Sequence, residues 1–188
     1  MACGGATRHV CMALRRRSTT DGSGGQHDDC LREYLNNLRS GLLLGSPIQH
    51  PARRIFLVRP GVRRTYNQDE IVTIARRYGF EPHAPEILPL ADQARLFSGA
   101  EMVLGASGAA WVGMSFCQKP TRFLSWLPKE YRQFCCYSSL ARLLGHQMEF
   151  LDVTTDQPIL SSDEAYLKSY HLDPVAFEMV LRSMCKDN

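Results

Sequence analysis

The chain has 188 residues, of which 44% are hydrophobic and 22% are charged, and its formal net charge is +3. This composition is typical of a soluble globular domain, and so small a charge gives no support for nucleic acid as a partner. No apolar run approaches the roughly 20 residues that span a membrane, and no apolar segment follows the basic N-terminal residues as in a signal peptide. The seven cysteines form neither a CxxC pair nor a zinc-spaced set, which predicts reduced thiols and a cytoplasmic protein.

The chain divides into three predicted parts. Residues 1–27 are expected to be a disordered tail, because Gly, Ser, Thr and Arg dominate there without hydrophobic periodicity. Residues 28–50 are predicted to be an amphipathic helix, with leucines at helical spacing, followed by a proline-containing linker. Residues 51–188 are expected to form the folded domain.

Strand and helix patterns alternate through that domain. Strands are predicted at 54–59, 80–84, 102–105, 121–127 and 148–153, and helices at 67–78, 90–98, 109–116, 131–144, 163–171 and 174–185. Such alternation predicts an α/β fold, with an open, Rossmann-like parallel sheet flanked by helices. Ligands of such sheets bind beyond the carboxyl ends of the strands, so the residues that follow each strand are the candidates for a site.

Arg59, Arg63 and Arg64 follow the first and most apolar strand. Guanidinium groups hold phosphate oxygens bidentately, and about two of them would offset the charge of a diphosphate. The alternative is that these arginines are solvated or form salt bridges with Asp69 and Glu70.

A turn of small residues follows the third strand and contains Gly105, Ser107, Gly108 and Ala109. Small residues let a phosphate approach the backbone, and the N–H groups that open the following helix favour an anion. The alternative is that they only allow a helix and a strand to pack closely. Together with the arginines, this turn predicts a two-sided diphosphate site at one sheet edge.

Asn67 and Glu70 open the next helix in a pattern that resembles a capping box, which predicts a structural role for Asn67. A contact between Asn67 and a ligand is a second possibility. No D-x-D carboxylate pair occurs in the sequence, so neither a metal-bridged diphosphate nor another cofactor is expected.

A hydrolase is the rival interpretation of the glycine turn. The residues from Gly105 to Ala109 approach the nucleophile-elbow pattern G-x-S-x-G, and Ser107, Asp152 and His171 follow the chain order of nucleophile, acid and base. The fifth position is alanine instead of glycine, however, and no glycine run for an oxyanion hole precedes it.

The segment RIFLVRPGVRRTYNQDEIVTIARRYGFEPHAPEILPLADQARLFSGAEMVLGASGAAWVGMSF resembles the catalytic domain of glycosyltransferase family 61. The residues that carry the resemblance are Arg59, Arg63 or Arg64, Asn67, Glu70, Gly79, Phe80, Pro85, Glu86, Gln93, Leu96, Phe97, Ala100, Gly105, Gly108 and Ala109. The sequence departs from the family pattern at Ser107, where histidine is frequent, and at Gly113, where asparagine is frequent.

The resemblance implies one half of a GT-B-like fold, the C-terminal half that binds the donor. It implies transfer of a sugar from a nucleotide-sugar donor, with a UDP-sugar expected, to a glycan acceptor in cell-surface or capsular polysaccharide synthesis. Glu86 and Gln93 become candidates for contacts to the donor, whereas no catalytic residue is assigned. Since a GT-B enzyme has two such halves, the chain is expected to be truncated or to need a separate acceptor-binding half. The alternative is a half-domain that binds a nucleotide sugar without catalysis.

Overall fold

The elements of the fold are described in a computed structural model, which covers residues 8–9, 23–43, 53–60, 65–131, 136–153, 155, 164 and 168–186. The strands are β1 Arg8–His9, β2 Arg54–Leu57, β3 Glu81–His83, β4 Met102–Ala106, β5 Arg122–Pro128 and β6 Gln147–Val153. The α-helices are α1 Ser23–Leu43, α2 Gln68–Arg77, α3 Leu90–Ser98, α4 Cys136–Leu143 and α5 Pro174–Lys186, and 3-10 helices lie at Pro85–Ile87, Ala109–Phe116 and Lys129–Tyr131.

The strands form one sheet in the order β1-β6-β5-β4-β2-β3. Strands β2 to β6 are parallel, and of the strands in the described residues only β1 pairs in the antiparallel sense, with β6. The chain passes from β2 outward to β3 and then returns to the other side of β2 to form β4. Doubly wound sheets form their ligand-binding crevice at such a reversal, which here falls between the carboxyl ends of β2 and β4. The predicted α/β fold with a parallel sheet flanked by helices is confirmed.

Both faces of the sheet are buried, which explains why the central strands read as unbroken apolar runs. On one face, Phe56 and Leu104 belong to a cluster that includes residues of α2 and α5. On the other face, Ile55 and Val103 pack in a cluster with residues of α3, α4 and the 3-10 helix Ala109–Phe116. Burial of each such side chain contributes about 1.5–3 kcal/mol, so the central strands hold the site edge in a fixed place.

The helix predicted at 109–116 is present, and it is a 3-10 helix, Ala109–Phe116. Trp111 and the residues from Gly113 to Cys117 are buried, whereas Val112 is exposed, so most of this short helix lies inside the protein. A Cβ atom on Gly113 would overlap the ring of Phe97. Close packing against α3 therefore shapes this segment.

Both ends of the chain are only partly described. Arg8–His9, inside the predicted disordered tail, pairs with Phe150 and Leu151 at the sheet edge, and α1 begins at Ser23; the other residues before Ser23 lie outside the described part. The helix predicted at 163–171 also falls partly outside the described residues: Glu164 is helical and its carbonyl oxygen accepts from the amide of Lys168 at 3.2 Å, whereas Ser169 and Tyr170 are not helical. None of the helices in the described part of the chain is both long and apolar enough to cross a membrane.

Candidate functional site

Arg59 connects the ends of β2 and β4. It follows β2 by two residues, and its Nη2 donates a hydrogen bond to the carbonyl oxygen of Ser107, the first residue after β4. The predicted arginine and the predicted glycine turn therefore lie in contact at the crevice between these strands. The guanidinium group has five N–H donors, and among the described residues only the Ser107 carbonyl accepts from it.

Two glycines allow this close approach. A Cβ atom on Gly108 would lie 2.6 Å from Nη2 of Arg59, and a Cβ atom on Gly105 would lie 2.8 Å from the Cβ atom of Leu57. The φ angle of Gly108 is 176°, an extended value that any residue adopts. Glycine is needed at position 108 because of the space that the guanidinium group occupies, and not because of the backbone conformation.

The backbone amides of the turn divide into two groups. Gly105 lies inside β4 between two paired strands, and the amide of Ser107 donates to the carbonyl oxygen of Trp126 at 3.0 Å, so both belong to the sheet. The amides of Gly108 and Ala109 have no acceptor in the described part of the chain, as expected where a helix begins. Gly108 is half-buried and Ala109 is exposed, so these two amides can reach a ligand.

Ser107 does not have the surroundings of a nucleophile. Its exposed fraction is only 3%, whereas His171 is exposed. No hydrogen bond connects His171 with Ser107 or with Asp152 in the residues that the structure describes. The geometry therefore does not assemble the serine hydrolase triad.

Gln68, the first residue of α2, holds the backbone of Arg59 in place. Its Oε1 accepts from the amide of Arg59 at 2.8 Å, and its Nε2 donates to the carbonyl oxygen of Arg59 at 3.3 Å. The hydroxyl of Tyr66 also donates to Oε1 of Gln68, at 3.4 Å. The sequence pattern gave no signal for this contact, because it depends on how the loop after β2 returns to α2.

An aromatic cluster lies beside this network. The ring of Tyr66 stacks on Tyr170, with centroids 5.5 Å apart, and meets the edge of Trp126 at 5.7 Å. Burial raises the pKa of Tyr66 far above its ordinary value, and the neighbouring Tyr170 adds to the shift. The phenol therefore stays protonated and remains a hydrogen-bond donor toward Gln68.

The other predicted contacts to a donor have different surroundings. Nδ2 of Asn67 donates to the carbonyl oxygen of Leu172 at 3.0 Å and to Glu70, and Oδ1 of Asn67 accepts from the amide of Leu172. Asn67 occupies the N-cap position of α2, but its side chain makes no capping bond. It instead ties α2 to the segment before α5.

Gln93 and Glu86 also differ from each other. Nε2 of Gln93 donates to the carbonyl oxygen of Leu88 at 3.0 Å. The side-chain amide of Gln93 therefore makes a hydrogen bond with the loop that precedes α3. Glu86 is exposed in the 3-10 helix Pro85–Ile87. Arg63 and Arg64 lie outside the described residues.

Comparison with known proteins identifies one family. The model of the family described as Glycosyltransferase 61 matches residues 12–124, which is more than half of the chain. The match includes β2, β4 and the turn that contacts Arg59. No curated protein was found to match the chain.

Proposed function

This chain belongs to glycosyltransferase family 61, and we propose that the crevice between β2 and β4 binds the diphosphate of a nucleotide-sugar donor. The observation that carries the proposal is the contact between Arg59 and Ser107. It places a guanidinium group beside the accessible amides of Gly108 and Ala109, so a positive charge and two N–H donors lie at one point of the sheet edge. Such an arrangement is suited to phosphate oxygens.

The charge of a diphosphate requires more than one cation. Arg63 and Arg64 belong to the segment that joins Pro60 and Thr65, and we include them in the proposed site from the sequence alone. With Arg59 they would supply enough positive charge to offset the diphosphate.

The proposed reaction transfers the sugar to a hydroxyl group of a glycan acceptor. The bond between the anomeric carbon and the diphosphate oxygen breaks, a bond between that carbon and the acceptor oxygen forms, and the hydroxyl loses its proton. Negative charge develops on the leaving diphosphate. Arg59 and the amides of Gly108 and Ala109 would stabilise that charge because they are held in place before the reaction begins.

The family resemblance supports further details of this proposal. A UDP-sugar is the expected donor, and a polysaccharide of the cell surface or capsule is the expected product. The acceptor would bind to a second Rossmann-like half, facing the carboxyl edge of this sheet.

Isothermal titration calorimetry with UDP, GDP, CMP and inorganic pyrophosphate tests the site. The wild type is expected to bind a nucleoside diphosphate, and Arg59→Ala is expected to bind it about 10- to 100-fold more weakly, as for the loss of a hydrogen bond from a charged group. Arg54→Ala is the matched control. Arg54 is the first residue of β2, the strand that Arg59 follows, and it donates to the carbonyl oxygen of Tyr78 at 2.6 Å. It therefore lies at the opposite end of the strand from the site, and the affinity should not change.

The proposal would be contradicted if the wild type bound none of the four compounds. It would also be contradicted if Arg59→Ala bound a nucleoside diphosphate as tightly as the wild type. A further assay with UDP-sugars and glycan acceptors separates transfer from binding. Binding without transfer under any condition would favour a donor-binding half-domain without catalysis.

A further inference from the structure

We infer that Gln68 is a positioning residue, which holds the backbone of Arg59 so that its guanidinium group faces the diphosphate. The inference rests on the proposed function of Arg59. Gln68 itself does not touch the substrate in this account. It acts through the two hydrogen bonds that its side-chain amide makes with the backbone of one residue.

The backbone of Arg59 needs these bonds because the sheet ends before it. The ladder between β2 and β3 continues only to Val58, whose amide donates to the carbonyl oxygen of His83 at 2.9 Å. Arg59 comes next, and the amide side chain of Gln68 takes the place of a neighbouring strand for both its N–H and its C=O. A half-buried backbone group without a partner would be costly, so the pairing restricts the backbone of Arg59.

The orientation of the Gln68 amide is fixed by its surroundings. Oε1 accepts from the amide of Arg59 and from the hydroxyl of Tyr66, while Nε2 donates to the carbonyl oxygen of Arg59. If the side-chain amide of Gln68 were rotated by half a turn, its Nε2–H group would face the backbone N–H of Arg59, and no hydrogen bond could form there. Since Tyr66 is packed between Tyr170 and Trp126, the chain of contacts runs from the rigid aromatic cluster through Gln68 to Arg59.

An arginine whose backbone is fixed binds better than a mobile one. Fixing the backbone of one residue costs about 1–2 kcal/mol, and the two bonds from Gln68 meet part of that cost before the ligand arrives. The contact with Ser107 orders the guanidinium group itself. Gln68 should therefore affect the affinity for a diphosphate although it makes no contact with it.

The first test combines Gln68→Met with Arg59→Ala in calorimetric titrations with UDP and pyrophosphate. Methionine has the length of glutamine and a similar helix propensity but makes neither hydrogen bond. Gln68→Met should bind about tenfold more weakly than the wild type. In the Arg59→Ala background the same substitution should have no further effect, because its action passes through Arg59.

Two other variants make the test specific. Gln68→Glu keeps an acceptor for the Arg59 amide but cannot donate to the Arg59 carbonyl, so it should also bind more weakly. Thr73→Ala is the control: it lies on the same helix and loses one hydrogen bond to a backbone carbonyl, that of Asp69 at 2.8 Å. Its affinity should equal that of the wild type.

The second test needs no ligand. The ¹⁵N heteronuclear NOE of the Arg59 backbone amide, which donates to Gln68, should fall in Gln68→Met and stay unchanged in Thr73→Ala. An unchanged NOE in Gln68→Met would overturn the inference, as would wild-type affinity in that variant or an equal loss of affinity in the Arg59→Ala background. If the wild type binds none of UDP, GDP, CMP and pyrophosphate, the proposed function fails, whereas the NOE still decides whether Gln68 orders Arg59.

Discussion

Leu57 lies directly opposite Gly105 in the paired strands β2 and β4, and a Cβ atom on Gly105 would be 2.8 Å from the Cβ atom of Leu57. The close contact lies just before the ends of both strands. It brings those ends near enough for Arg59 to reach the carbonyl oxygen of Ser107. The position of Arg59 beside Ser107 therefore depends on the close spacing of the β2 and β4 backbones.

Gly105→Ala is expected to destabilise the fold. The new Cβ atom would meet a Cβ atom rather than the end of a flexible side chain, so the strands themselves must shift. Overpacking of this kind costs about 1–3 kcal/mol of the free energy of unfolding. Urea denaturation of the variant and the wild type measures this difference.

Adding Leu57→Ala to the Gly105→Ala variant tests whether the clash is with the Cβ atom of residue 57. Alanine keeps that Cβ atom, so the second substitution should not restore the stability that Gly105→Ala loses. Recovery in the double variant would show that the outer part of the leucine side chain is the obstacle. A Gly105→Ala protein as stable as the wild type would contradict the prediction.

Gly108→Ala is expected to affect binding more than stability. Its Cβ atom would lie 2.6 Å from Nη2 of Arg59, which is the end of a flexible side chain that can swing away. The free energy of unfolding should change by less than about 0.5 kcal/mol, as for a surface substitution. The displaced guanidinium group should lower the affinity for a nucleoside diphosphate about tenfold, which calorimetry measures.

Gly41→Ala provides the comparison for that variant. A Cβ atom at position 41, within α1, meets nothing within 4 Å, so the affinity should equal that of the wild type. If Gly108→Ala also bound with wild-type affinity, the guanidinium group of Arg59 would not be a ligand of the diphosphate.

The sequence was sufficient to predict the parallel sheet and the meeting of Arg59 with the glycine turn. The apolar runs of β2 and β4 are typical of strands buried on both faces, and parallel strands bring their carboxyl ends to one edge. These features follow from local composition and from a general rule of topology. They do not depend on the detail of side-chain packing.

Contacts between distant side chains could not be predicted in this way. Asn67 had the local pattern of a capping residue, but its side chain pairs with Leu172, 105 residues away. Gly113 packs on Phe97, and the predicted helix at this place is of the 3-10 type, which the sequence pattern did not specify. The bonds from Gln68 to Arg59 likewise depend on tertiary packing, which no periodicity encodes.

Cys117 is expected to resist alkylation in the folded protein. Burial raises the pKa of its thiol to about 12, and its exposed fraction is 3%, so both thiolate formation and access are suppressed. Treatment with iodoacetamide followed by peptide mass spectrometry should label the exposed Cys30 and Cys136 in the native protein, and Cys117 only in urea. Labelling of Cys117 at the rate of Cys136 without urea would contradict the buried position of this segment.

His146 is expected to make stability depend on pH. Its Nδ1 accepts from the amide of Thr121 at 3.2 Å, so its Nε2 carries the proton toward the carbonyl oxygen of Met114, also at 3.2 Å. Burial lowers the pKa of His146 below its ordinary value, and the positive charge of Arg39 adds to the shift. Only the neutral ring fits these contacts.

Because the folded pKa of His146 is lowered, the unfolded chain binds more protons as the pH falls through about 6.5. The stabilisation is therefore complete above that pH and decreases below it. Urea unfolding between about pH 5 and pH 7 should show a decrease toward low pH in the wild type that is smaller in His146→Gln. His171→Gln, which changes an exposed histidine, should retain the wild-type profile. An equal pH dependence in the wild type and His146→Gln would show that His146 does not couple protonation to folding.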